Sequence, residues 1–262
     1  MSFESLGLRA ELLSAIASQG YTTPTPIQSQ AIPVIFEGCD LLAGAQTGTG
    51  KTAAFALPIV QMLSETTTYK KRRHPRALVL VPTRELAAQV SEQMQNYGRR
   101  LSLRSIKIYG GVNIRPQMER LDRGVDIVVA TPGRLLDHAE RGTIKLNEIE
   151  FLVLDEADRM LDLGFIDDIL RVAEFLPGDR QNLLFSATYS KSIKQLADEL
   201  LDQPRRIEVE RRNIAADAIT QAIYPVERSR KREMLSHLIR KGNWSQVLVF
   251  TRTRYGADKL TD

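Results

Sequence analysis

Ala45-Gln-Thr-Gly-Thr-Gly-Lys-Thr52 is the stretch on which the fold turns. It follows a short apolar run, Asp40–Ala45, and precedes a long apolar segment that begins Ala53-Ala-Phe-Ala-Leu57. Gly48 and Gly50 permit backbone conformations in which successive N–H groups point inward around an anion. A helix starting near Lys51 aims its positive dipole end at the same point. Lys51 can then reach the β- and γ-phosphates of a nucleotide, and the Thr52 hydroxyl can ligate Mg²⁺. Gln46, Thr47 and Thr49 complete the loop. The phosphate-loop pattern opens with Gly where this chain has Ala45, so a bare pattern match fails there. A Gly-rich strand-to-helix turn without a ligand is the plainer alternative, and Gly-Lys-Thr in that context argues against it.

Outward from this loop the chain alternates between short apolar runs and amphipathic stretches. The runs predict strands at Asp40–Ala45, Ala77–Val81, Ser105–Tyr109, Asp126–Ala130, Glu150–Leu154, Asn182–Phe185 and Arg206–Glu210. Helices are predicted at Arg84–Leu101, Pro116–Arg123, Ile166–Phe175 and Ser190–Leu201. Several strands are apolar almost throughout, as parallel strands covered on both faces should be. Such alternation stacks βαβ units into an α/β, doubly wound parallel sheet. It breaks near Gln203-Pro-Arg-Arg206. A fresh strand (Ala218–Val226), helix (Lys231–Lys241) and strand (Gln246–Thr251) follow, and the residues up to Asp262 read as a further helix. One strand–helix–strand unit cannot bury both faces of its sheet. Residues 1–210 are therefore expected to form one domain, and 211–262 a linker and the truncated beginning of a second.

A phosphate loop needs a carboxylate at a neighbouring strand end for its metal. Glu150-Phe-Leu-Val-Leu-Asp-Glu156 ends on two. Alternation sends Asp155 and Glu156 in different directions. Asp155 can address Mg²⁺, partly through water, while Glu156 orients the attacking water. Lys51, Asp155 and Glu156 are thus the catalytic candidates, at carboxyl ends of parallel strands, where such sheets bind ligands. Read alone, Asp155, Glu156 and Asp158 suit equally the start of a helix, where carboxylates meet the dipole.

Composition bounds what else the chain can be. Its 262 residues are 43% hydrophobic and 26% charged, which excludes collagen, a coiled coil and wholesale disorder. The apolar runs fall far short of the roughly 20 residues of a membrane helix. Met1-Ser-Phe-Glu-Ser-Leu6 lacks the basic start and apolar core of a secretion signal. A single cysteine, Cys39, excludes an internal disulfide, and His74, His138 and His237 show no metal-ligand spacing. A cytoplasmic protein without a membrane partner is expected. Residues 1–200 hold 23 Lys+Arg against 24 Asp+Glu, and residues 201–262 hold 13 against 8, so the net charge of +4 arises in the last quarter. A basic end permits a polyanion partner without requiring one.

Asp155-Glu-Ala-Asp158, with the loop at 45–52, resembles the DEAD-box ATP-dependent RNA helicases of superfamily 2. The resemblance runs along essentially the whole chain in the family's motif order. Phe3, Gly20-Tyr21 and Pro24-Thr-Pro-Ile-Gln28 stand where the family has its Q motif. Pro82-Thr-Arg-Glu-Leu-Ala87, Gly110-Gly111, Thr131-Pro-Gly-Arg134, the DEAD run and Ser186-Ala-Thr188 follow. Phe250-Thr-Arg-Thr253 resembles the start of motif IV. The near-absence of residues before Phe3 is most similar to bacterial RhlE-type members.

This resemblance implies a RecA-like fold, ATP and Mg²⁺ at the loop, and RNA as partner, single-stranded or duplex, gripped by its backbone without sequence preference. Gln28 would read the adenine edge, with Tyr21 against the base and Phe3 nearby. Thr25-Pro-Ile-Gln28 is equally a helix capping box with Pro at the first position. Thr83, Arg84, Gly111, Thr131 and Arg134 would contact RNA, all at loop or helix-start positions suited to phosphates. Ser186 and Thr188 would bond to Asp158 and couple nucleotide state to RNA; otherwise they would only cap the helix Ser190–Leu201. Lys70-Lys-Arg-Arg73 reads as a solvated surface loop and Trp244 as a packing residue. The family's late run resembling His-Arg-x-Gly-Arg-x-x-Arg does not occur in residues 1–262. These residues alone are therefore expected to bind adenine nucleotide weakly, and neither to unwind a duplex nor to show RNA-stimulated hydrolysis. An ATP-gated RNA clamp or chaperone, and a related ATPase acting on DNA, are the alternatives.

Overall fold

The apolar runs of the first 210 residues together form one sheet. The computed structural model describes residues 2–46, 48–66, 74–209, 220 and 222–261. Its strands are β1 (Leu41–Gly44), β2 (Ala77–Leu80), β3 (Ser105–Ile108), β4 (Ile127–Ala130), β5 (Phe151–Leu154), β6 (Gln181–Ser186) and β7 (Arg205–Glu208). All pair in parallel, in the order β3-β4-β2-β5-β6-β1-β7. β1, β2, β4, β5 and β6 are buried at every position, while the two edge strands are partly exposed. The ends differ from the sequence expectation by a residue or two, and Glu210, expected in the last strand, lies outside the described residues.

Side-chain alternation divides the core in two. Leu41, Ala43, Val79, Val129, Val153, Leu183 and Phe185 face one way. They pack against α1 (Ala10–Ser18), α2 (Pro26–Phe36), α3 (Lys51–Glu65) and α4 (Arg84–Gly98). Leu42, Leu80, Val128, Ala130, Leu152, Leu154 and Leu184 face the other way. After α5 (Arg115–Asp122), that face is covered by α6 (Pro132–Glu140), α7 (Ala157–Asp162), α8 (Ile166–Glu174) and α9 (Lys191–Leu200). This is a RecA-like doubly wound sheet, with both faces roofed by helices.

At the amino end of the strands one buried carboxylate fixes where β1, β6 and the approach to β7 meet. Asp40 Oδ1 accepts from the Asn182 N–H at 2.7 Å, and Oδ2 accepts from Asn182 Nδ2 at 3.0 Å and the Asp202 N–H at 2.8 Å. The register that follows (Leu41 beside Leu183 and Arg205) carries to the opposite rim, where Gly44 lies beside Ser186 and Glu208.

The chain divides into two units, Met1–Arg211 and Arg212–Asp262. The second holds a 3-10 turn (Arg228–Arg230), α10 (Lys231–Gly242) and α11 (Arg254–Thr261). The strands expected at 218–226 and 246–251 are not formed among its described residues, and positions 218, 219 and 221 lie outside them. A strand needs a partner for its backbone groups, and these residues supply none. Ile223 (94% exposed) and Phe250 (88%) accordingly face solvent, and Trp244, expected to pack, is half exposed. Among the described residues no helix is long and apolar enough to cross a membrane.

Candidate functional site

Parallel strands deliver all their carboxyl ends to one rim, and the strand order sorts what stands there. Reading along β3, β4 and β2, the rim carries Gly110-Gly111, Thr131–Arg134 and Thr83-Arg84. Continuing along β5, β6 and β1, it carries Asp155–Asp158, Ser186–Thr188 and the loop at 45–52. The residues expected at RNA and those expected at the nucleotide thus occupy adjoining halves of one edge.

The nucleotide half is built around two buried charges. Lys51 opens α3 behind Gly50, whose φ of 89° is left-handed and favours glycine. Lys51 Nζ lies 4.0 Å from Asp155 Oδ1, and both side chains are almost wholly buried. Neither atom has a hydrogen-bond partner among the described residues. Burial pushes the Asp155 carboxyl up to about 6 against the pull of Lys51, and Glu156 and Asp158 add repulsion. Two buried charges facing each other unbonded suit a ligand that carries both signs, an anion toward Lys51 and a cation toward Asp155. Glu156 is held at φ 56°, ψ 49°, a left-handed conformation that costs a non-glycine residue about 1 kcal/mol or more. That turn starts α7, and Glu156 is half-buried beside the buried Asp155. Thr49 Oγ1 donates to the Gln46 carbonyl at 2.7 Å and folds the loop on itself. Thr47 lies outside the described residues.

Gln28 is buried and bonded at both ends within the protein. Its Oε1 accepts from the Thr25 N–H at 2.9 Å, and its Nε2 donates to the Gly50 carbonyl at 3.1 Å. The first bond is the return half of a capping box on α2. The second ties that helix to the phosphate loop, and a Cβ on Gly50 would collide with Gln28 Nε2. A carboxamide keeps a second N–H and a second lone pair for a further partner. Tyr21 is exposed at the surface. Phe3, expected at the nucleotide, is instead 4% exposed, in the apolar cluster that holds Ile27 and Phe55.

The contact between the DEAD run and Ser186–Thr188 differs from the expected one. Asp158 Oδ2 accepts from the Ala187 backbone N–H at 3.2 Å, and among the described residues no hydroxyl bonds to it. Ser186 Oγ turns instead to the Thr188 carbonyl at 2.8 Å. Capping of α9 does not fall to them either, because Ser190 Oγ accepts from the Ile193 N–H.

On the other half, Thr83 caps α4 by accepting from the Leu86 N–H at 3.2 Å. Arg84 Nη1 lies 2.8 Å from where a Cβ on Gly111 would stand, and the backbone, at φ 77°, favours glycine there. Arg134 Nη1 and Nη2 each donate to the Val112 carbonyl at 3.1 Å. Thr131 stands at the start of α6 with its hydroxyl unused as a cap. The run at Lys70–Arg73 lies outside the described residues.

Sequence reasoning passed over Tyr189. Its ring occupies the space a side chain on Gly44 would need, and its hydroxyl donates to the Ile207 carbonyl at 3.1 Å. It closes one side of a cavity of about 360 Å³ bounded by Ala45, Gln46, Thr188 and Glu208. Gly44 at the end of an otherwise bulky strand was the signal for it.

A RecA-like sheet carrying a phosphate loop and an Asp-Glu-Ala-Asp run on adjoining strand ends defines a nucleotide-binding domain of the helicase class. A model of the DEAD/DEAH box helicase family matches residues 25–196, more than half of the chain. The chain belongs to that family. It is 42% identical over 259 residues to a DEAD-box ATP-dependent RNA helicase, RhpA, of Helicobacter pylori, covering 99% of this chain and 51% of the relative. It is 39% identical over 263 residues to the ATP-dependent RNA helicase DeaD of Haemophilus influenzae, covering 42% of that protein. A crystal structure of a DEAD box protein from the hyperthermophile Methanococcus jannaschii superimposes with a TM-score of 0.75 at 36% identity, spanning all of this chain and 69% of that one. The chain spans about half the length of the curated relatives it matches.

Proposed function

We propose that these residues bind ATP–Mg²⁺ and the backbone of RNA, as part of an ATP-dependent RNA helicase that couples hydrolysis to local duplex separation. The observation that carries this reading is the buried, unbonded pair of Lys51 and Asp155, on the same rim as Arg84, Gly111, Thr131 and Arg134. The names of the relatives agree with it.

The loop N–H groups and the start of α3 would cradle the phosphates, and Lys51 would neutralise their charge. Thr52 and Asp155 would hold Mg²⁺, which when bound supplies positive charge to the β- and γ-phosphates. Glu156 would orient water for attack and take its proton. Gln28, fixed to Thr25 and Gly50, would present its remaining N–H and lone pair to adenine, with Tyr21 against the base. Asp158, bonded to the Ala187 N–H, would report the nucleotide to the strand between. Thr83, Arg84, Gly111, Thr131 and Arg134 would receive phosphates and sugars rather than base edges, so sequence would count little.

The experiment is ATP hydrolysis by a protein spanning the relatives' full length, measured with RNA, with DNA and with neither. Stimulation by RNA alone is expected. Equal stimulation by DNA would overturn the choice of RNA, and hydrolysis indifferent to polynucleotide would overturn the coupling. Duplex separation with a nonhydrolysable analogue, as fast as with ATP, would instead make the protein a clamp.

A further inference from the structure

The loop after β3 has almost no side chains of its own with which to hold its shape. Gly110 and Gly111 supply none, and Gly111, at φ 77°, takes a left-handed turn that glycine enters freely, so neither residue's side chain fixes the loop. Two residues of α6 grip its two ends. Arg134 holds the far end through the Val112 carbonyl, at 3.1 Å from each of two guanidinium nitrogens. His138, one helical turn on and wholly buried, holds the near end through an intermediary. Gln117 of α5 donates from Nε2 to the Tyr109 carbonyl at 3.1 Å, and its Oε1 meets His138 Nε2 at 3.2 Å. His138 Nδ1 in turn lies 2.7 Å from Thr143 Oγ1, just beyond the end of α6.

This chain of bonds has one consistent assignment. A carbonyl can only accept, so the Tyr109 oxygen requires the Gln117 amino group to face it. The Gln117 oxygen then faces His138, whose proton must sit on Nε2; with the ring neutral, Nδ1 accepts from the Thr143 hydroxyl, which shares its one proton with the His138 carbonyl 3.0 Å away. A neutral ring suits the place: burial first, and then Arg134, pull the imidazole down to about 4. No group in this chain is exposed or meets the rim itself except the loop. It is not needed to fill space either, since an aliphatic side chain would do that without a polar partner.

We propose that His138 and Gln117 are positioning residues that fix the Tyr109–Val112 loop in the shape that receives the RNA backbone. The proposal rests on the RNA reading above, and one helix then sets three expected contacts together: Thr131 at its start, Arg134 in its first turn, and Gly111 through both grips.

The test is fluorescence anisotropy of labelled single-stranded RNA on the 262-residue chain, with Gln117→Met, His138→Leu and His138→Gln, at several salt concentrations. Loss of the loop's shape should weaken RNA about tenfold in Gln117→Met and His138→Leu, the scale of one buried group left unpaired. His138→Gln can donate to Gln117 and should restore binding. The salt slope should not change, because no phosphate contact is deleted, whereas Arg84→Gln should lower it by about one. ADP affinity, which reports folding, should be unchanged in both positioning variants; if His138→Leu loses it, Gln117→Met carries the test. Wild-type affinity in both Gln117→Met and His138→Leu overturns the proposal and leaves the RNA reading standing. A reduced salt slope in Gln117→Met overturns it too, by making Gln117 a direct contact. Failure of the wild-type chain to bind RNA at all overturns the RNA reading, and this proposal with it.

Discussion

Lys51→Met tests the nucleotide half of the rim most directly. Methionine keeps the length and apolar stem of lysine and removes only the charge that sits 4.0 Å from Asp155 without a hydrogen bond. One charge-assisted bond to phosphate contributes about 1.5–3 kcal/mol, so ADP affinity should fall about 10- to 150-fold. Binding stabilises the folded unit by mass action, about 2.7 kcal/mol at a ligand concentration 100 times Kd. At that concentration a unit of this size should melt roughly 5–10 °C higher with ADP–Mg²⁺ than without. If Kd rises 100-fold in the variant, the same concentration only equals Kd, the stabilisation drops to about 0.4 kcal/mol, and the melting shift to roughly 1 °C. The assay is thermal melting of wild type and variant, each with and without ADP–Mg²⁺. A full shift in Lys51→Met would show that the phosphates lie elsewhere and that the buried pair is structural.

Glu156→Gln should keep ATP binding and lose hydrolysis in a protein of the relatives' length, because the amide keeps the shape but cannot take a proton; undiminished turnover would remove Glu156 from that role. Asp40→Ala leaves two backbone N–H groups and the Asn182 amide without their acceptor, and should cost about 3 kcal/mol or more in urea unfolding; a loss within 0.5 kcal/mol, roughly the scale of a surface change, would contradict the buried network. His138 gives a pH dependence of known sign: unfolded it takes a proton below about 6.5, folded only below about 4, so the unfolded state gains protons first and stability falls as pH drops through that window. The loss should total about 3 kcal/mol, measured as the difference between wild type and His138→Gln from pH 7 to 4; parallel profiles would mean that the ring is not held neutral.

The fold was legible because each strand of the first unit carries its own signature. Ala77–Leu80 and Phe151–Leu154 are apolar at every position, and only burial on both faces accounts for that. Strand order was not legible, since β2 lies between β4 and β5 by long crossovers that no local pattern encodes. The same limit governed the site. Lys51, Asp155 and Glu156 stand in contiguous runs and could be named from the residues alone. Gln117 and His138, 21 positions apart, are brought together only by the tertiary fold, which sets α5 against β3; a sequence reader sees a glutamine and a histidine without metal spacing. The burial of Phe3 in the apolar core was not legible for a related reason. Aromatic character near the Q motif does not say which way the ring turns, and the core beneath α2 took it. The strands expected at 218–226 and 246–251 had the right composition, but among the described residues composition does not supply the neighbour that turns an extended segment into a strand.

The boundary between the two halves of the rim falls between β5 and β2, where Leu154 lies beside Leu80 and the Asp155 N–H donates to the Leu80 carbonyl at 3.0 Å. On the proposed reading, nucleotide and RNA chemistry therefore meet across neighbouring strands, whose spacing is about 4.8 Å. Those strands cannot slide to carry a signal. A one-residue slip would turn every buried side chain of β5 to the wrong face, exchanging Val153 for Leu152 across the sheet. What can change is what the rim bonds to. Lys51 and Asp155 face each other without a hydrogen bond among the described residues, Glu156 is held in a left-handed turn, and Asp158 reaches the next strand through one backbone N–H at Ala187. Ser186, whose hydroxyl donates to the Thr188 carbonyl and accepts from the Thr188 N–H, could exchange the first of these bonds for one to Asp158 without moving a strand. A rigid sheet with adjustable bonds along its rim places the coupling in side chains and loops. Substitutions at Asp158 or Ser186 should then uncouple the two ligands while leaving each one's binding intact, and substitutions in β5 should simply unfold the unit.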